Sequence, residues 1–150
     1  KLIYFSTNYV YPGTKGNYKE SSALKPVNNY AWSKLGGEAS VQMYKNSLIL
    51  RLSMTDYPFV HKKAISGAVS SFIFNYNVAQ IVPHLLNYSG VINIGGKTRD
   101  ILSFAKKFSN KKIAKINFKK VKNFPKNSSL NINKLNEILK YKPKLRKLIQ

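Results

Sequence analysis

Three short apolar runs constrain what this chain can fold into. "LIYFS" at 2–6, "SLILRLS" at 47–53 and "GVINIGG" at 90–96 carry almost no polar alternation. A half-solvated strand alternates apolar and polar residues, whereas a strand covered on both faces reads as a continuous hydrophobic run. Helix-like segments separate the three runs, so the expected class is α/β with parallel strands. In such sheets the functional site lies beyond the C-terminal ends of the strands. Ser6, Thr7 and Asn8 end the first run, and Ser53 with Met54 ends the second.

Between these runs, residues from about 27 to 45 read as a helix, with Pro26 ahead of it and Asn28 or Asn29 able to cap its first turn. Residues 77–88 look helical with a break near Pro83. Ile101, Leu102, Ala105 and Phe108 give 100–110 the spacing of an amphipathic helix capped by Asp100. A Lys-rich, strand-like stretch follows, and 131–141 forms a last short helix that Pro143 stops. Residues 54–74 show no period and read as irregular, ending in the apolar "SSFIF".

At 150 residues and 43% hydrophobic, the chain can bury one ordinary core. It opens on Lys1 and enters an apolar run at once, so the expectation is a single partial domain whose N-terminal portion lies elsewhere. The absence of cysteine excludes disulfides and thiolate metal sites. His61 and His84 stand far apart with no acidic cluster between them, so no metal site is expected. No apolar stretch approaches the roughly 18–20 residues that span a bilayer, and nothing resembles a secretory signal. No membrane partner is expected, and the expected compartment is the cytoplasm.

The net charge of +21 raises a nucleic-acid reading. Residues 104–150 carry 15 of the 26 basic residues against one acid, Glu137. Dedicated binders concentrate Arg, whose planar fork suits phosphates and bases, and here Arg occurs only at 51, 99 and 146. The wealth of Lys, Asn and Ile looks instead like drift towards A/T-rich codons. No zinc finger, basic zipper or aromatic RNA-binding signature is present. No nucleic-acid partner is expected. Any binding to duplex DNA should be weak, sequence-blind and lost steeply with salt. A milder role for the charge, attracting an anionic nucleotide substrate, suits every reading.

Tyr-x-x-x-Lys occurs twice, at Tyr11/Lys15 and Tyr30/Lys34, about as often as chance allows with 10 Tyr and 23 Lys. Context separates the two. Pro12 and Gly13 put the first pair in a turn, while the second lies inside the expected helix, where positions i and i+4 share a face. An ammonium one turn from a phenol favours the phenolate, so such a pair can exchange a proton with a sugar or alcohol oxygen near neutral pH. A hydroxyl at a neighbouring strand end, Ser6 or Thr7, could fix the carbonyl. From spacing and helix placement alone, a solvated Lys34 beside a surface Tyr30 is the favoured reading.

The segment "YFSTNYVYPGTKGNYKESSALKPVNNYAWSKLGGE" is similar to the central part of extended short-chain dehydrogenases/reductases, and within them to the dTDP-4-dehydrorhamnose reductase-like group. The residues that carry the likeness are Ser6, Thr7, Asn8, Tyr9, Val10, Tyr11, Gly13, Tyr18, Glu20, Pro26, Tyr30, Ser33, Lys34, Gly37 and Glu38. "LILRLS", "GVINIGG" and "NSSLNINKLNEILKYKPKL" resemble later parts of the family, and 55–75 matches least.

The resemblance implies an incomplete Rossmann-type parallel sheet, the C-terminal half, with a small α/β substrate-side portion. Residues 1–54 would be the later part of the nucleotide-binding core with the catalytic helix, and 55–150 mixed core and substrate-side segments. It implies Thr7 as the hydroxyl that orients a carbonyl, Tyr30 as proton donor and Lys34 as its activator and a ligand of the nicotinamide ribose, with Ser6 beside them at the cofactor. Thr7, Asn8, Ser53 and Met54 would touch the substrate, a 4-keto nucleotide sugar reduced with NADP or NAD as cofactor. Glu20 and Glu38 would pair or cap within the fold, and a homodimer is compatible with the family.

Several residues depart from the family. No Gly-x-x-Gly-x-x-Gly phosphate loop can be built from glycines 13, 16, 36, 37, 67, 90, 95 and 96. Asn8 stands where Asp is usual, Ala31 where Gly is, Met54 where an aromatic is frequent, and Asn127 where Asp is common. The related epimerases and dehydratases share the Thr–Tyr–Lys trio, and a non-catalytic binding or regulatory relative would suit the missing loop. Both stay open as alternatives.

Overall fold

The computed structural model describes residues 1–150. Strands β1 (Leu2–Thr7), β2 (Ser47–Leu52) and β7 (Gly90–Ile94) form one parallel sheet in the order β1-β2-β7. Helix α1 (Asn29–Gln42) connects β1 to β2. Its start follows from Asn28, whose side chain accepts from the Ala31 amide at 2.9 Å.

Every residue of β2 is buried, as its continuous apolar run requires. Leu48, Leu50 and Leu52 share a core with Ile92, Ile94, helix α2 (Asn75–Ile81) and helix α4 (Asn133–Ile138). The chain turns through a 3-10 segment, Val82–Leu85, with Pro83 inside it. Pro143 opens a further short helix, α5 (Pro143–Arg146), and α4 has already ended before it. That reverses the expected role of Pro143: a proline without an amide hydrogen fits the first turn of a helix.

The segment 54–74, expected to be irregular, contains four short strands: β3 (Met54–Thr55), β4 (Lys63–Ser66), β5 (Val69–Ser70) and β6 (Ile73–Phe74). β3 pairs with β6, β4 with β9 (Ala114–Asn117), and β5 with β8 (Arg99–Asp100). Pairing with distant partners, not local period, makes these strands. They lie with helix α3 (Ile101–Phe108), which Asp100 caps through the Ser103 amide at 2.9 Å, around a second core of Phe59, Ala64, Ala68, Ile101 and Phe104.

β1 differs from expectation in one respect. It pairs only with β2, and Leu2 and Phe5 are 41% and 45% exposed. Natural edge strands are usually short, charged, bulged or interrupted by proline; "LIYFST" is none of these. Its composition is that of an interior strand, yet one of its edges is unpaired.

Register explains how α1 is seated. Tyr4 stands opposite Ile49, and Ser6 stands opposite Arg51, which stands opposite Asn93. Ser6, Arg51 and Asn93 thus form a polar row across three strands, and Glu38 of α1 meets it. Of the fourteen residues of α1 only Ala31 and Glu38 are fully buried. Gly37 passes so close to Tyr4 that an added Cβ would collide with the phenol, while one added at Gly36 would stand in open space. Gly37→Ala should therefore cost about 1–3 kcal/mol in urea unfolding. Gly36→Ala should be neutral or stabilise by up to about 1 kcal/mol.

Candidate active site

Ser6, Thr7, Asn8, Tyr30, Lys34, Ser53 and Met54 line one cavity of about 300 Å³ at the C-terminal ends of β1 and β2. Phe5, Tyr9, Leu52 and Phe72 complete it. All seven expected site residues are brought together. Tyr9 and Phe72 were not anticipated as lining residues. Tyr9 sits inside the quoted "STNYVY" string, whereas nothing local marks Phe72.

The two Tyr-x-x-x-Lys pairs separate by environment. The Tyr11 hydroxyl is fully buried, accepting from Arg51 Nη1 and donating to Asn93 Oδ1, both at 2.9 Å. Tyr30 is 54% exposed at the cavity rim, on α1 with Lys34. Lys34 Nζ donates to the Phe5 carbonyl at 2.9 Å and lies 5.2 Å from the Tyr4 ring centroid. No carboxylate neutralises it.

Thr7 is buried and its Oγ accepts from the Tyr9 amide at 3.3 Å. Its hydroxyl reaches Asn8 Oδ1 only at 3.4 Å, a long bond that a better acceptor could replace. Asn8 Nδ2 donates to the Ser128 carbonyl at 2.9 Å, which turns Oδ1 towards Thr7. A carboxylate has no hydrogen to give that carbonyl. The departure from the family's Asp is thereby matched to its neighbour. Ser53 Oγ bonds Ser70 Oγ at 2.9 Å, anchoring the other wall. Met54 is exposed at the opening.

Ser6 directs its hydroxyl away from solvent, donating to Glu38 Oε1 at 2.5 Å. Glu38 also receives Arg51 Nη2 at 2.7 Å and Nε at 3.0 Å. This is the one salt bridge in the chain, and both side chains are almost completely buried. The pairing of Glu38 within the fold is as expected. Arg51 Nη1 further donates to the Glu20 carbonyl at 3.0 Å, and Asn93 Nδ2 donates to the Tyr18 carbonyl at 2.8 Å. Desolvation disfavours the Arg51 cation, but its bonds to Glu38 and the Tyr11 hydroxyl outweigh this, so its affinity for the proton rises.

The fold and this site define a Rossmann-type α/β chain with a Thr–Tyr–Lys cleft at its strand ends. Residues 1–57 match the family described as the RmlD substrate binding domain. Across 91% of its length the chain superimposes on a hypothetical dTDP-4-dehydrorhamnose reductase from Sulfolobus tokodaii, with TM-score 0.74 and 26% identity, covering 57% of that protein. It has the same fold as a dTDP-4-dehydrorhamnose reductase from Bacillus anthracis in complex with NADP, with TM-score 0.75, 21% identity and 58% of that protein covered. A 72-residue stretch, 47% of the chain, is 38% identical to methionine adenosyltransferase 2 subunit beta of Xenopus laevis and spans 21% of it. The chain therefore spans about a fifth of this curated relative and under three fifths of these solved structures. The resemblance read from residues 5–38 holds, and in fold it extends over most of the chain.

Tyr9 offers a test of the cavity's dryness. Burial, and then the nearby Tyr30, push its phenol up to about 12, against about 10 in an unfolded chain. Between those values the folded protein holds a proton that the unfolded chain has lost, so stability must fall as pH rises. Thermal midpoints should drop between about pH 10 and 12, and Tyr9→Phe should flatten that drop. A Tyr9→Phe profile that superimposes on wild type would show that the phenol is solvated.

Proposed function

We propose that residues 1–150 form the carbonyl-reducing and sugar-holding part of an NAD(P)-dependent oxidoreductase that reduces a 4-keto nucleotide sugar, in the manner of the dTDP-4-dehydrorhamnose reductases. The observation that carries this reading is the convergence of Thr7, Tyr30 and Lys34 on one cavity of about 300 Å³. The NADP-bound state of the Bacillus anthracis reductase, which shares this fold, supports the cofactor class.

The residues present fit one end of such a cofactor. Lys34 has a backbone carbonyl and the Tyr4 ring as partners but no carboxylate, which leaves it available to ribose hydroxyls beside an exposed Tyr30. Nothing in the glycine spacing fits the pyrophosphate. A pyrophosphate loop would have to come from chain beyond these residues, and the unblunted edge of β1 borders the cleft where it would join. Bound there, NADPH or NADH supplies the hydride.

Thr7 sits where its hydroxyl can give up the long contact to Asn8 and donate to the substrate carbonyl, drawing charge onto that oxygen. As the carbonyl carbon is reduced, Tyr30 releases its phenolic proton to the developing alkoxide. The ammonium of Lys34 stabilises the phenolate left behind, and the exposed ring regains its proton from solvent. Tyr9, whose proton is held to about 12, can act only as a neutral donor.

A second cavity of about 280 Å³ shares Tyr9, Met54 and Phe72 with the first. Phe59, Phe124, His61 and Lys63 lie along it. Its aromatic walls suit a nucleobase and Lys63 suits a phosphate, so the nucleotide portion of the substrate extends into it in this reading. That assigns the substrate-side role to the short strands that the family likeness covers least.

In the complete polypeptide containing residues 1–150, Tyr30→Phe should lower turnover of a 4-keto nucleotide sugar by about 10²–10⁴-fold. NADPH binding should stay nearly unchanged. Unaltered turnover would remove Tyr30 from the mechanism.

A further inference from the structure

Tyr30, Lys34 and Glu38 follow one another at i, i+4 and i+8 along α1, so they form one stripe of the helix. The first two rim the cavity, and the third is fully buried. A helix normally gets its rotation from a wide apolar face. α1 lacks one: apart from Ala31, the only fully buried side chain it offers the sheet is the charged Glu38. Leu35 adds a partly buried contact to Val10, Tyr11, Tyr18 and Leu130, and the bonds of Glu38 are the buried directional contacts that bear on the helix's rotation.

Those bonds have the geometry to choose it. Arg51 presents Nε and Nη2 to both carboxylate oxygens, a two-pronged contact that tolerates little rotation. Arg51 cannot follow a moving helix. Its other prong is held by the Tyr11 hydroxyl and the Glu20 carbonyl, and Tyr11 is held by Asn93. Ser6 closes the arrangement from β1, one residue before Thr7. Three strands and the helix thus share one fully bonded polar cluster, which ends at the hydroxyl side of the cavity.

We propose that Glu38 is a positioning residue for the Thr7–Tyr30–Lys34 site. Held by Arg51 and Ser6, it fixes the rotation of α1 and the end of β1 together, so that phenol, ammonium and threonine hydroxyl face one point. This deepens the reductase reading and rests on it. The alternative is that the pair only stabilises the fold. A buried ion pair is weak evidence for stability, since replacing both partners with apolar residues is often neutral or better. That property separates the two roles.

Two variants provide the test. Glu38→Met/Arg51→Met removes both charges at similar volume, and Arg51→Lys keeps the charge but loses the two-pronged contact. Urea unfolding establishes that each is folded. NMR of the 150-residue chain then reads the seating of α1, through cross-relaxation of the Tyr4 ring with Lys34 and Gly37. Kinetics of the complete polypeptide give the split between kcat and KM. The expected result is a folded variant in which the Tyr4 contacts weaken and kcat falls about a hundredfold, with KM little changed. A folded variant that keeps both the wild-type contacts and the wild-type kcat overturns the proposal. Should wild type itself show no turnover, the reductase reading fails, while the NMR result still decides whether Glu38 sets the helix.

Discussion

The ion pair between Glu38 and Arg51 ties helix α1 to the middle strand of the sheet. It is the only salt bridge in a chain with 26 basic residues, and it lies between the sheet and the helix rather than on the surface. Such a pair is costly to desolvate and survives only where every donor and acceptor is satisfied. Ser6, Tyr11 and the Glu20 carbonyl meet that requirement, and Asn93 extends it to the third strand. The consequence is geometric. A cluster of this kind tolerates one register of β1, β2 and β7 and one rotation of α1, and the cavity at the strand ends inherits both.

The same economy governs the other acids. Glu20 accepts the Asn93 amide, Asp56 accepts from Asn75, and Asp100 caps α3. Four of the five carboxylates accept hydrogen bonds from the chain itself, but only Glu38 is buried, and lysine far outnumbers the acids. A field of that sign raises the local concentration of anions, including a sugar nucleotide with its phosphates. It does so without the guanidinium forks that read bases. In the proposed reading, charge serves capture and the cavity selection.

Much of this was legible in the residues. The three unalternated runs announced a parallel sheet, Asn28 and Asp100 announced helix starts, and "STNYVYPG" with "YAWSKLGGE" supplied most residues that line the cavity. What could not be read has a common cause. β3 to β6 are two to four residues long, and partners elsewhere in the chain define them, so no local period exists to detect. Arg51 and Asn93 look like interruptions in apolar strands until register shows Arg51 standing between Ser6 and Asn93. The exposure of β1 was equally hidden, because "LIYFS" has the composition of an interior strand whatever lies beside it.

Isotope-edited NMR titration of the 150-residue chain with a dTDP-sugar asks whether the cavity takes a nucleotide sugar, and it needs neither turnover nor bound cofactor. Saturable shifts confined to the two adjoining cavities are expected, at Thr7, Asn8, Tyr9, Ser53, Met54 and Phe72. Shifts spread over the lysine-rich surface of residues 104–150 and erased by moderate salt, with those six unmoved, would contradict that reading.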